Sequence, residues 1–164
     1  MAKVSPGQHA ASTYARWLAL ALCLCLVGCA SAPPLPDTHA ANNVLFRAIG
    51  LVGTPYHWGG NTPESGFDCS GLVRYVYRSS AHITLPRTTR AMSQIDAPKV
   101  QRNALAAGDL VFFHTDRHGV SHVGIYVGKG RFVHAPSSGG EVRLDRLDNP
   151  YWTSHFLFGK RPLD

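Results

Sequence analysis

The chain has 164 residues, room for one ordinary domain with an appendage but hardly for two. Hydrophobic residues make up 45% and charged residues 16%, which excludes a wholly disordered chain. Lysine and arginine number 16 against 10 acidic residues; this net +6 is scattered, so it favours polyanionic surroundings without pointing to nucleic acid.

Residues 1–16 carry Lys3 and Arg16 and no acidic side chain, and they lead into an apolar run of 12 at 17–28 (WLALALCLCLVG). A bilayer core of about 30 Å needs roughly 20 helical residues, so the run is too short to span. It has the length of a secretory signal's apolar region. A core helix would carry polar positions on its outer face, and this run has none. Its end, Leu26-Val27-Gly28-Cys29, resembles the lipobox of bacterial lipoproteins. That resemblance implies cleavage of residues 1–28, lipidation of Cys29 and a membrane anchor through the lipid, since two or three acyl chains hold a protein stably. Ala30 stands where an inner-membrane retention signal would have Asp, so the expected location is the periplasmic face of the outer membrane. Cleavage removes Cys23 and Cys25 and leaves Cys69 as the lone thiol, with no internal disulfide.

Residues 29–41 are rich in Ala, Pro and Ser and read as an extended tether. About 12 residues at ~3.1 Å each would lift the domain on the order of 35–40 Å from the membrane. The domain is expected at 42–164. Apolar residues at helical spacing predict a first helix over 44–52, stopped by Gly53-Thr54-Pro55. After a Gly/Pro-rich loop, residues 69–80 place Cys69, Leu72, Val73, Val76 and Tyr77 on one helical face, with Asp68 suited as N-cap. A short helix is predicted at 88–95. Beyond residue 105 the period becomes that of strands, at 109–113, 121–127, 131–134, 141–144 and 156–158, with Gly128-Lys129-Gly130 as a hairpin turn. Helices first and antiparallel strands second make the fold α+β.

Cys69 opens its helix, where free amides and the macrodipole favour a thiolate. His122 begins one predicted strand and His134 ends the next. With Val127 and Arg131 flanking the turn, His134 falls near Gly124, on the same face as His122. This suits a nucleophile, a base and an orienting group. The spacing leaves a second reading open, with Cys69 a small buried hydrophobe and both histidines structural. His114, His118 and His122 recur every fourth residue, a spacing that on a helix would suggest zinc. Gly119 and the flanking strands exclude that helix, so no metal is expected.

Residues 55–60 (PYHWGG), 66–72 (GFDCSGL), 108–113 (GDLVFF), 121–126 (SHVGIY) and 131–135 (RFVHA) together resemble the NlpC family of papain-like cell-wall peptidases. The resemblance runs from about residue 44 to 160, and the segments 132–140 and 149–152 are most like Spr-type lipoprotein murein endopeptidases. It implies a papain-like domain with the nucleophile Cys69 at a helix start packed on an antiparallel sheet, His122 as base and His134 as orienting residue. It also implies Tyr56 as an oxyanion donor and Asp68 and Ser70 lining the substrate groove. His57 falls at a variable position and receives no role. The expected substrate is the stem peptide of peptidoglycan, acted on by a monomer without cofactor. Relatives cut either the D-alanyl–diaminopimelate cross-link, the expectation here, or the γ-D-glutamyl–diaminopimelate bond. A murein amidase or acyltransferase, or a wall-binding lipoprotein without activity, are the readings from other classes.

Overall fold

The computed structural model describes residues 38–116, 119–138 and 140–163. The signal segment, Cys29, His118 and all but the last four residues of the expected tether lie outside them. Helix α1 (Thr38–Ile49) buries Ala41, Val44 and Ala48, a spacing of three and four that gives one apolar stripe. This corrects the tether boundary: residues 38–41 are already helical, and Ala41 is part of the core. The short strands β1 (Asn61–Thr62) and β2 (Gly66–Phe67) form a hairpin that leads into helix α2 (Cys69–Ala81).

Asp68 caps α2, accepting from Gly71 N–H, and Leu72, Val73, Val76 and Tyr77 are fully buried along one face. Burying each of these four contributes roughly 1.5–3 kcal/mol. Helix α2 ends at His82, whose backbone is left-handed and whose N–H returns to the carbonyl of Tyr77. Helix α3 (Thr89–Ser93) follows, capped by Thr88. Then come β3 (Lys99–Val100), a 3₁₀ turn (Arg102–Ala104), β4 (Leu110–Phe113), β5 (His122–Gly128), β6 (Arg131–His134), β7 (Arg143–Arg146), helix α4 (Pro150–His155) and β8 (Phe156–Lys160).

The six long-range strands make one antiparallel sheet in the order β3-β8-β4-β5-β6-β7. In β4, Leu110 and Phe112 join the core shared with α1 and α2, while Val111 and Phe113 join a second core with Phe132, Leu147 and Trp152. Both faces of β4 are covered, which explains its continuous apolar run. A buried ion pair ties the last strand's end to this region. Arg161 Nε and Nη2 reach Asp109 Oδ1 and Oδ2 at 2.8 and 2.9 Å, and Asp109 Oδ2 also accepts from Ala106 N–H.

The first helix runs earlier than the expected 44–52, strands β1 to β3 fall where no strand was expected, and two differences bear on the site. The predicted strand at 141–144 lies two residues later, because Glu141 bridges Pro55 and Val142 exchanges hydrogen bonds with Gly53 and Thr54. Those residues are therefore bound to the loop after α1 instead of to β6. Helix α4 is not among the expected elements, although Asn149 as cap and Pro150 in the first turn are its start signal.

Candidate active site

Cys69 is the first residue of α2, and a polar cluster fixes where that helix begins. The Asp68 carboxylate takes Gly71 N–H at 2.6 Å, Gly59 N–H at 3.1 Å and the Ser70 hydroxyl at 3.1 Å. Arg87 grips the same carboxylate with two nitrogens, at 2.7 and 3.0 Å, and donates to Ser70 Oγ at 2.9 Å. Burial opposes ionisation of Asp68, but Arg87 and the Gly71 amide hold its carboxyl below the ordinary value. Gly71 is required by contact: a Cβ there would lie 2.0 Å from the carbonyl oxygen of Gly60. The loop carrying Tyr56 is thereby pressed against the first turn of α2.

The Cys69 sulfur sits 3.5 Å from Thr89 Oγ1 and also receives the backbone N–H groups of Val123 and Ser70. Burial nevertheless pushes the thiol above its ordinary value, and the nearby Asp68 charge adds to that. Desolvation thus works against the thiolate that the helix start favours. Tyr56 is half-buried beside this thiol; burial, then the charges of Cys69 and Asp68, raise its phenol.

The Val123 amide that meets the sulfur belongs to the residue after His122, so β5 brings that histidine to the nucleophile. His122 Nε2 and His134 Nδ1 are 2.9 Å apart, with the rings nearly perpendicular. Pairs Ile125↔Val133 and Tyr126↔Phe132 put His134 alongside Gly124, as counted from the sequence. The register does slip, but at the turn: Gly128, not Val127, opposes Arg131, and the irregularity lies beyond the histidines. Lys129 and its two flanking glycines all take positive φ in that turn. Burial, reinforced by His134, lowers His122 to about 3, against the opposing pull of Asp145. Burial likewise lowers His134.

Beyond His134 stands Asp145 of β7. Its Oδ2 is 3.1 Å from His134 Nε2 and accepts the Trp152 indole N–H at 2.9 Å. Its Oδ1 accepts Arg143 Nε and Nη2 at 3.0 and 2.9 Å. The hydrogen bond to His134, with those from Arg143 and Trp152, holds this carboxyl well below the usual carboxylate range. Trp152 stacks on His122 and meets His134 edge-on. A cleft of about 520 Å³ opens here, lined by residues that include His122, Asp145, Trp152, Tyr151 and Thr115.

Cys69, His122, His134, Tyr56, Asp68 and Ser70 therefore gather around the start of α2 and the neighbouring strands β5 and β6. His114 packs on His155 instead, with ring centroids 4.9 Å apart, and His57 is exposed. Among the described residues no three His, Cys, Asp or Glu side chains come together to hold a metal ion. Sequence reasoning missed Arg87, Thr89 and Asp145, and treated Trp152 only as part of a motif. The one signal for Asp145 was its i, i+2 spacing with Arg143, which places both on one strand face only with β7 in the correct register.

The sequence profile of the NlpC/P60 family matches residues 53–161. The murein DD-endopeptidase MepH of Escherichia coli is 44% identical over 126 residues, which are 76% of this chain and 45% of MepH. The bifunctional muramidase/DL-endopeptidase CwlT of Bacillus subtilis is 45% identical over 121 residues, 71% of this chain and 35% of CwlT. The chain thus spans half or less of the length of these curated relatives. A crystal structure from Staphylococcus aureus, described as similar to lipoprotein and of the NLP/P60 family, superposes with a TM-score of 0.71 at 34% identity. The superposition covers 82% of this chain and 45% of that one.

Proposed function

This chain belongs to the NlpC/P60 family, and from that premise we propose that it is a cysteine-type peptidoglycan endopeptidase whose nucleophile is Cys69. The observation that carries the reading is the contact line itself. A thiol at a helix start meets β5 at Val123, the adjacent His122 bonds His134 at 2.9 Å, and a cleft opens beside His122.

In the proposed reaction His122 takes the thiol proton as Cys69 attacks a peptide carbonyl. Burial raises the thiol and lowers His122, which favours a neutral pair and proton transfer in step with attack. The oxyanion is stabilised by the Tyr56 hydroxyl and a backbone amide at the start of α2. His122 then gives the proton to the departing amine, leaving a thioester on Cys69. Water, deprotonated by the same histidine, releases the acid and restores the thiol. Asp68 and Ser70, held by Arg87, form the polar floor on which the substrate rests.

The bond proposed is the D-alanyl–diaminopimelate cross-link, supported by the name of MepH as a DD-endopeptidase. The second reading, γ-D-glutamyl–diaminopimelate, is favoured by the name of CwlT as a DL-endopeptidase at nearly equal identity. Digestion of cross-linked dimer muropeptides by the detergent-purified full chain, with products identified by mass, separates them. Monomers with intact tetrapeptides support the cross-link reading; dipeptide stems ending in D-glutamate overturn it.

A lipid anchor is part of the proposal, supported by the run at 17–28 and Leu26-Val27-Gly28-Cys29. It would hold a monomer at the outer membrane, with the wall within reach. Cys29→Ser should leave unprocessed protein in the inner membrane. Recovery of the wild-type chain chiefly from inner-membrane fractions contradicts this location.

A further inference from the structure

Resting on the reading of His122 as base, we propose that Asp145 is a positioning residue that sets the tautomers of both histidines and so leaves His122 Nδ1 unprotonated to receive the Cys69 proton. The argument is one of donors and acceptors. An ionised carboxylate can only accept, whereas an indole N–H and a guanidinium can only donate. Asp145 Oδ2 already takes the Trp152 N–H at 2.9 Å, and Oδ1 takes two Arg143 nitrogens at 2.9 and 3.0 Å. Ringed by donors, the carboxyl stays ionised and has no proton to give.

His134 Nε2, 3.1 Å from Oδ2, must therefore carry a hydrogen. A neutral imidazole has one, so His134 Nδ1 is a bare acceptor. The atom 2.9 Å from it, His122 Nε2, must then be the donor. His122 has used its own hydrogen there, and its Nδ1 is left with a lone pair. The reversed order would place the His134 Nε2 lone pair against a carboxylate oxygen at 3.1 Å, with both atoms acceptors. It would also leave His122 with an N–H at Nδ1 and nothing to receive a proton. Because His134 is fully buried, no water replaces the missing donor. When His122 becomes an imidazolium, the same carboxylate lies one ring away and stabilises it.

Arg143 is half-exposed and Trp152 is buried, so the two sides of Asp145 differ in freedom. An asparagine there can turn its carbonyl oxygen to His134 and Trp152 and its amide to the Arg143 side, where Arg143 swings into water. Asp145→Asn should therefore keep the hydrogen order, while Asp145→Ala loses it.

The test is long-range ¹H–¹⁵N correlation of the histidine side chains in the full chain at pH 7, alongside hydrolysis kinetics on murein dimers. The wild type should show protonated Nε2 and bare Nδ1 on both His122 and His134. Asp145→Ala should show mixed or reversed tautomers and lose about 10²-fold in kcat with KM within about threefold, and Asp145→Asn should recover most of both. A purely structural role would lower stability without moving the tautomers. Protonated Nδ1 on wild-type His122 overturns the proposal, as does Asp145→Ala with wild-type tautomers and kcat. The wild-type spectrum decides even if the alanine variant does not fold. A wild-type chain with the stated tautomers but no action on murein would refute the proposed function and leave this inference standing.

Discussion

Acid should loosen this protein through His122, and replacing that residue should remove a defined part of the effect. The folded value lies near 3 against 6.5 for a free imidazole, because burial penalises the charged ring. Between those values the unfolded chain binds more protons than the folded one, so stability rises with pH and is lost as pH falls from about 7 toward 3. At pH 4.5 the unfolded ring is almost fully protonated and the folded ring almost bare, a difference of about 2–3 kcal/mol. His134, lowered by the same burial, acts in the same direction. Asp145 and Asp68 are lowered from 3.8, so their contributions are lost only as pH falls through that value and stay silent above pH 4.5. Urea unfolding followed by far-UV circular dichroism from pH 7.5 to 4.5 gives the slope directly. His122→Gln, which retains a side-chain amide for His134, should lose about 2–3 kcal/mol less than wild type over that range. Parallel curves for the two proteins would refute the reasoning, since they would mean that His122 titrates alike in both states.

Two further outcomes concern the frame around the site. Gly71→Ala should destabilise by about 1–3 kcal/mol and reduce hydrolysis, because its Cβ would press 2.0 Å from the Gly60 carbonyl and shift the turn that carries Cys69; thermal unfolding and initial rates check both. Arg161→Met should cost about 3–5 kcal/mol by stranding a buried carboxylate, since Asp109 is fully buried, and adding Asp109→Leu should restore much of the loss in urea unfolding.

The parts of the fold legible in the sequence were those whose local pattern and tertiary setting agree. Helix α2 combines a capping aspartate with an apolar stripe, and β4 to β6 combine apolar runs with a glycine turn, so the positions of Cys69, His122 and His134 on these elements are legible in the sequence. Position 145 was not legible, because its neighbours' strand starts later than its pattern suggests. Glu141 and Val142 are drawn to the loop at 53–55, an interaction between residues nearly ninety positions apart. Arg87 was missed for a related reason: nothing local marks a loop arginine as partner to an N-cap 19 residues earlier. At the Cys69 thiol two physical effects compete. A helix start lowers the value and burial raises it, and only the packing of Cys69 under Thr89 and Val123 shows which is larger.

The central claim is that Cys69 is the nucleophile of a peptide-bond hydrolysis in murein. It is tested by incubating cross-linked murein with wild type and Cys69→Ala at equal concentration and following released muropeptides by mass. The account predicts steady release by the wild type and none by a variant that remains folded, because alanine takes up nearly the same small space at the start of α2. Release by Cys69→Ala at the wild-type rate would contradict it.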